Sequence, residues 1–223
     1  MGWFTSSITS SIGKKLIMSL AGLFLTVFLL VHLSINLTLL RDDGGKWFSA
    51  AAHFMGTNYV VKVFEIVLFL GFIIHMIYGV VLQIQNWLSR PKRYKIVHYS
   101  QTSFFSKFMI HTAVIIGVFL FIHLMNFYFV KLNISDPPEG ITNRHDFYSM
   151  VMVLFHSKTY VIVYVCFMLF LGFHLSHAFH SAFQTLGLDH NKYTPFIKAC
   201  SIIYSIVIGV GFSLIPVLIY FFY

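Results

Sequence analysis

Five long, almost uncharged segments dominate this chain and decide what it can fold into. Each is longer than about 20 residues, the length that a helix needs to cross a hydrocarbon layer roughly 30 Å thick. A transmembrane β-barrel would instead show short alternating segments separated by turn residues. The sequence therefore predicts an all-α polytopic membrane protein, a single domain over residues 1–223 with five transmembrane helices. The predicted spans, numbered one to five, are residues 13–40, 60–88, 103–131, 156–186 and 194–223.

The composition agrees with a membrane protein and excludes a water-soluble domain. Hydrophobic residues make up 58% of the chain and charged residues 10%, and the mean hydropathy is +0.80. The net charge of +8 would suggest nucleic-acid binding in a soluble protein. In a membrane protein, however, basic residues gather on the cytoplasmic side. We therefore expect membrane lipid around this chain and no nucleic-acid partner.

The charged residues divide unequally between the two sides of the predicted bundle. The side that holds the N-terminus carries nine Lys and Arg and one acid, whereas the opposite side carries six of each. The net charges are therefore +8 and 0. Because basic loops stay inside, the N-terminus is predicted to be cytoplasmic and the C-terminus to lie outside.

Two loops of some length are predicted on the outer side. In the first, an interfacial helix is expected over residues 44–56, with its apolar residues on one face. These residues are Trp47, Phe48, Ala51, Phe54 and Met55. The second, residues 132–148, is polar and contains Pro137 and Pro138, so it is predicted to be a loop.

Histidines inside the spans are the main indication of function, because ionisable residues in a membrane are costly. His32 lies eight residues before Leu40, and His123 lies eight residues before Lys131. Both are therefore about 12 Å from the outer ends of spans one and three. In spans two and four, two further histidines each lie 13 residues from the inner end, His75 before Leu88 and His174 before Gly187. This second pair lies about 10 Å deeper toward the inside.

Two histidines at the same depth on different helices are what bis-imidazole ligation of a haem requires. The two pairs therefore predict two stacked haems. A lone intramembrane histidine more often hydrogen-bonds to a neighbouring helix or lines a proton path, and a zinc site would need three or four ligands close together. From spacing alone, His177 or His180 could replace His174, and His111 could contact a haem propionate or cap a polar pocket.

Five segments resemble the dihaem cytochrome b anchor subunits of succinate dehydrogenase and fumarate reductase, and the likeness covers nearly the whole chain. The segments are MSLAGLFLTVFLLVHLSIN, FSAAAHFM, FIIHMIYGV, FLFIHLMN and FHLSHAFHSAFQTLGL. The resemblance implies that His32 and His123 hold an outer haem b, and that His75 and His174 hold an inner one. It favours His174 over His177, and it matches Ser19 to a serine beside a propionate of the inner haem.

The resemblance also implies partners and a location. The anchor would pass electrons between an iron-sulfur subunit and a membrane quinone, commonly menaquinone, with a flavoprotein subunit handling succinate and fumarate. The chain alone is not expected to oxidise succinate, since it has no dinucleotide fingerprint and no cysteine cluster. A bacterial inner membrane is the implied location. The basic loop with Arg90, Lys92, Arg93 and Lys95 either docks the iron-sulfur subunit or only sets the topology.

At two positions the sequence departs from the family pattern. Some fumarate reductases have a glutamate two residues before the span-four ligand, where this chain has Gly172. The same enzymes have an outer-loop glutamate near the quinone, and this loop offers His53 and Met55 instead. The quinone is expected near the outer haem, with His53 exchanging the proton and Lys46 and Arg41 as electrostatic helpers.

Two other functions fit the same histidines. One is the cytochrome b subunit of another quinone-linked dehydrogenase or of a hydrogenase. The other is a transporter without haem, whose histidines relay protons or bind a metal ion in transit.

Overall fold

The protein, in a computed structural model, is described at residues 2, 10–89 and 108–223. All the regular secondary structure of these residues is helical, and we label the helices α1 to α7 in chain order. They are α1, Ser11–Leu37, continued by a 3₁₀ turn over Thr38–Leu40; α2, Lys46–Thr57; α3, Tyr59–Leu88; α4, Met109–Lys131; α5, Phe147–Phe155; α6, Lys158–Thr185; and α7, Thr194–Phe222.

Five of these helices, α1, α3, α4, α6 and α7, are long and apolar enough to cross a membrane. The predictions of an all-α chain and of five candidate spans are therefore confirmed. Four of these helices begin and end within about two residues of the predicted bounds, and α4 ends at the predicted Lys131. The predicted start of span three, and the basic loop from Arg90 to Lys95, lie outside the described residues.

The helices that carry the histidines pack as an antiparallel group of four. Along its length, α1 packs against both α3 and α6, and α4 packs against α6. Helices α1 and α4 therefore face each other across the group, as do α3 and α6. The fifth long helix, α7, lies against α6 and α1, where the Ser201 hydroxyl donates to the Ser176 carbonyl at 2.6 Å.

Glycines allow α6 and α7 to approach closely. A Cβ added at Gly209 would lie 3.4 Å from the Met168 carbonyl oxygen and 3.5 Å from the Gly172 Cα. Both neighbours are backbone atoms, which cannot move independently of their helix. Glycine at these positions therefore allows the short distance between α6 and α7.

The end of the group that the sequence predicts to be outer, called the outer end below, is covered by α2 and α5. The Asp43 carboxylate accepts from the Lys46 and Trp47 backbone N–H groups and so caps α2. At Gly45, where φ is +77°, an added Cβ would lie 2.4 Å from the Tyr148 ring. Only glycine fits there, so the turn before α2 packs directly on the start of α5.

A helix is present where the interfacial helix was predicted: α2 covers Lys46–Thr57. Phe48 is buried, whereas Trp47 and Phe54 are more than half exposed. Exposed apolar side chains are what an interfacial helix turns toward lipid, and the position of α2 at the interface stays a prediction. Helix α5 was not expected, because it lies between the predicted second outer loop, which ends at residue 148, and the predicted start of span four at residue 156.

Candidate functional site

The outer histidine pair meets in the interior of the four-helix group. The ring centroids of His32 on α1 and His123 on α4 are 5.8 Å apart, and the ring planes are inclined by 82°. Because α1 and α4 lie diagonally opposite each other, the two rings approach from opposite sides. This contact agrees with the equal depths counted from the sequence.

Aromatic rings enclose this pair. The ring of Phe28 stacks on His32 at 5.2 Å between centroids, and Phe212 of α7 lies 5.5 Å from the same histidine. The His123 ring has Phe119 at 5.7 Å and Phe127 at 5.2 Å. The surroundings of the outer pair are therefore mainly aromatic, and the Asn36 amide nitrogen lies 3.5 Å from His32 Nδ1.

The inner pair occupies the other diagonal. His75 lies on α3 and His174 on α6. The Nδ1 atom of His75 lies 3.3 Å from the Met18 carbonyl oxygen, and Nδ1 of His174 lies 3.3 Å from Thr112 Oγ1. Since a carbonyl can only accept, His75 carries its hydrogen on Nδ1 and leaves Nε2 free.

The same reasoning applies to His174. The Thr112 hydroxyl donates its own hydrogen to the Met109 carbonyl at 2.9 Å, so it can accept from His174 Nδ1. A partner on one ring nitrogen fixes the orientation of an imidazole and leaves the other nitrogen for a metal. Both inner histidines have this arrangement.

These residues fit a bis-histidine haem. Two imidazoles on opposite sides of a metal, with bonds of about 2 Å, have centroids roughly 6 Å apart, close to the separation of His32 and His123. The Nδ1 atom of His123 is buried without a partner. Gly22 faces His75, where an added Cβ would lie 3.2 Å from Cε1.

The donor set also agrees with a metal that brings ligands of its own, as iron does in a porphyrin. Across residues 10–89 and 108–223, no group of three or more His, Cys, Asp or Glu could hold a metal ion. A structural zinc site needs four such ligands. Pairs of histidines therefore suit haem iron better than a bare ion.

The other residues that were expected near a haem differ in how far they are buried. Ser19 on α1 is buried, one residue after the Met18 carbonyl that contacts His75. His180 has a buried Nε2 without a partner, and His177 is half-buried. His111 is exposed and lies beside the Phe108 ring.

The residues that were expected near the quinone lie on α2 and in the turn before it. Lys46 and His53 are exposed on α2. Arg41 lies over the Trp47 ring, 4.8 Å from its centroid, and its Nε is 3.6 Å from an Asp43 oxygen.

Gly172 faces α7 and not the histidine pairs. A Cβ there would lie 3.4 Å from the Ser205 carbonyl oxygen and 3.7 Å from Gly209 Cα, both on α7. A glutamate at this position would force α6 and α7 apart. The departure from the family pattern at Gly172 therefore has a packing reason.

A charged cluster near the outer end was not anticipated from the sequence. The Tyr128 hydroxyl donates to Glu65 Oε1 at 2.6 Å, and Lys131 Nζ lies 3.6 Å from Glu65 Oε2. Glu65 is the sole acid in any of the predicted spans. Counting its depth against that of Lys131 would have placed the two at the same end.

A cavity of about 330 Å³ lies between α4, α5, α6 and the second outer loop. Asn126 of α4 lines it, and its amide nitrogen donates to the Tyr164 hydroxyl at 3.0 Å. The segment Leu124–Tyr128 is a π-helical turn within α4. None of these features was predicted from the sequence.

Comparison with known proteins gives no match: no family model, no curated protein and no solved structure matches this chain.

Proposed function

We propose that this chain is a dihaem cytochrome b membrane anchor of a succinate:quinone oxidoreductase. The observation that carries the proposal is the presence of two histidine pairs, each from diagonally opposite helices. His32 and His123 would hold the outer haem b, and His75 and His174 the inner one. The proposal also rests on the five sequence segments that resemble this family.

Haem b would supply reversible one-electron transfer within the membrane interior. The chain's contribution is to orient the ligands and to exclude water. The Met18 carbonyl and Thr112 hydroxyl hold the inner imidazoles by Nδ1. Phe28 and Phe212 cover the outer pair.

Partner subunits must carry out the interconversion of succinate and fumarate. The proposed complex includes a flavoprotein subunit and an iron-sulfur subunit docked at the basic end, where Lys14, Lys15, Lys192 and Lys198 lie. A membrane quinone, menaquinone in our proposal, reacts at the other end. The resulting location is a bacterial inner membrane, with the N-terminus in the cytoplasm.

The test is a reduced-minus-oxidised absorption spectrum of the purified protein, combined with haem quantification. We expect two haems in the wild type, loss of one in His32→Ala or His123→Ala, and loss of the other in His75→Ala or His174→Ala. The control is His145→Ala, an exposed histidine in the outer loop that should keep both haems.

Two results would contradict this proposal. A colourless wild-type protein would favour a transporter in which the same histidines relay protons or bind a metal ion in transit. Loss of the inner haem in His177→Ala, with retention in His174→Ala, would move the inner ligand by one helical turn.

A further inference from the structure

We propose that the cavity between α4, α5, α6 and the second outer loop binds the quinone ring. This inference rests on the proposed function and adds to it the place at which the quinone reacts. The volume of about 330 Å³ falls in the range of small-molecule sites. A cavity of about 150 Å³ already admits benzene, so two fused rings fit.

The walls of the cavity have the mixed chemistry that a quinone requires. Met150, Val153 and Leu154 supply apolar surface from α5. Asn126, Ser157 and Tyr160 supply an amide and two hydroxyl groups from α4, the α5–α6 junction and α6. A quinone ring is flat and apolar with a carbonyl oxygen at each end, and these donors can hydrogen-bond to the carbonyls.

A π-helical turn brings Asn126 to this cavity. A π turn holds more residues than an α turn, and such turns occur frequently at functional sites. The turn also frees the Met125 carbonyl from its regular partner, and the Ser135 hydroxyl donates to that carbonyl at 2.7 Å. The outer loop is therefore tied to the same turn that lines the cavity.

Direct contacts connect the cavity to the outer histidine pair. Asn126 donates to the Tyr164 hydroxyl at 3.0 Å, and the Tyr164 ring lies 6.4 Å from the His123 ring between centroids. Asn126 also follows His123 by three residues on α4, less than one helical turn. A ring bound in the cavity would lie close to the outer haem ligand.

The redox chemistry of the site balances with the proposed complex. Reduction of a quinone takes two electrons and two protons and converts both carbonyl groups to hydroxyl groups. Succinate oxidised by the proposed flavoprotein partner supplies the electrons. Water at the outer mouth supplies the protons, where the Asp136 side chain is 98% exposed.

The cavity explains quinone binding better than the surface around His53 does. His53 is exposed on α2, and its backbone carbonyl accepts from the Thr57 hydroxyl at 2.8 Å. The cavity combines a volume, convergent polar groups and a connection to His123.

The experiment uses a photoreactive azido-naphthoquinone on membranes that contain the full complex, with mass spectrometry of the labelled peptides. Val153→Trp places a large ring at the cavity wall, and Ile162→Trp is the matched control on the exposed surface of α6, outside the cavity. Excess menaquinone tests specificity. The haem spectrum is recorded for each variant.

We expect specific labelling of residues 125–160 in the wild type and in Ile162→Trp, and at least tenfold less labelling in Val153→Trp, with both haems retained. If Val153→Trp does not assemble, Tyr160→Phe replaces it. Loss of one hydroxyl donor should raise the concentration of quinone needed for half-maximal labelling by about 2- to 10-fold. Tyr59→Phe, at an exposed tyrosine of the same end, should change nothing.

The outcomes separate this inference from the proposed function. Labelling at α2 around His53, or no specific labelling, in a protein with two haems would overturn the cavity as the quinone site. A protein without haem that is still labelled in the cavity would overturn the proposed function and leave the binding site standing. Equal labelling in Val153→Trp and the wild type also contradicts the inference.

Discussion

Replacing Thr112 by valine removes the hydroxyl group that contacts His174, the proposed ligand of the inner haem, and leaves His174 itself in place. Valine has nearly the shape of threonine but no hydroxyl group. In the native chain this hydroxyl lies 3.3 Å from His174 Nδ1 and donates to the Met109 carbonyl. The variant therefore leaves a ring N–H in the interior without an acceptor.

The size of the effect follows from that geometry. An unpaired buried donor costs about 1–3 kcal/mol, and a hydrogen bond as long as this one belongs in the lower part of the range. A loss of about 1–2 kcal/mol corresponds to haem affinity about 5- to 30-fold lower. In other proteins, mutation of a residue that hydrogen-bonds to a metal-ligating histidine lowers metal affinity or activity by about 10- to 100-fold. That range overlaps the one expected here.

The assay is transfer of haem from the purified protein to an excess of a haem-binding acceptor, followed by absorption spectroscopy. We expect the inner haem to leave more readily from Thr112→Val and the outer haem to be unaffected. Thr26→Val is the matched control, because the Thr26 hydroxyl donates to the Leu23 carbonyl and to no histidine. Equal retention of the inner haem in both variants would refute the assigned role of Thr112.

Two further predictions concern the frame around the site. Gly209→Leu should lower the midpoint of thermal unfolding in detergent, because overpacking against the Met168 carbonyl costs about 1–3 kcal/mol. Each kcal/mol lowers the midpoint by about 2–4 °C. Val210→Leu, at an exposed neighbouring residue, should leave the midpoint unchanged. A tag fused after Tyr223 should react with an impermeant reagent in intact cells, because the positive-inside rule predicts an external C-terminus. A tag protected in intact cells and exposed after lysis would reverse this orientation.

The spans and the outer pairing of histidines were accessible from the sequence because both depend on the constant geometry of the helix. A rise of about 1.5 Å per residue converts a count into a depth. The count placed His32 and His123 at one level, and the structure brings their rings together. Haem binding itself stays a prediction, and the histidine variants proposed above would test it.

Other features depend on tertiary contacts and had no local signal. The π-helical turn at Leu124–Tyr128 reads in the sequence as ordinary apolar helix. Helix α5 has only nine residues, too few to span a membrane, and it is separated from α6 by His156 and Ser157. The cavity arises only when α4, α5 and α6 meet, so neither its volume nor its polar lining could be predicted.

The position of α7 bears on how the protein is made. This helix carries none of the four candidate ligands, yet its Phe212 ring covers His32 and its Gly211 lies against Leu33. The ribosome delivers α7 after the four helices that carry the candidate ligands, so these four enter the membrane before α7 docks. Until that moment one side of the His32 site stays open to a large flat molecule in the bilayer. Docking of the last helix would then trap a cofactor that has already arrived.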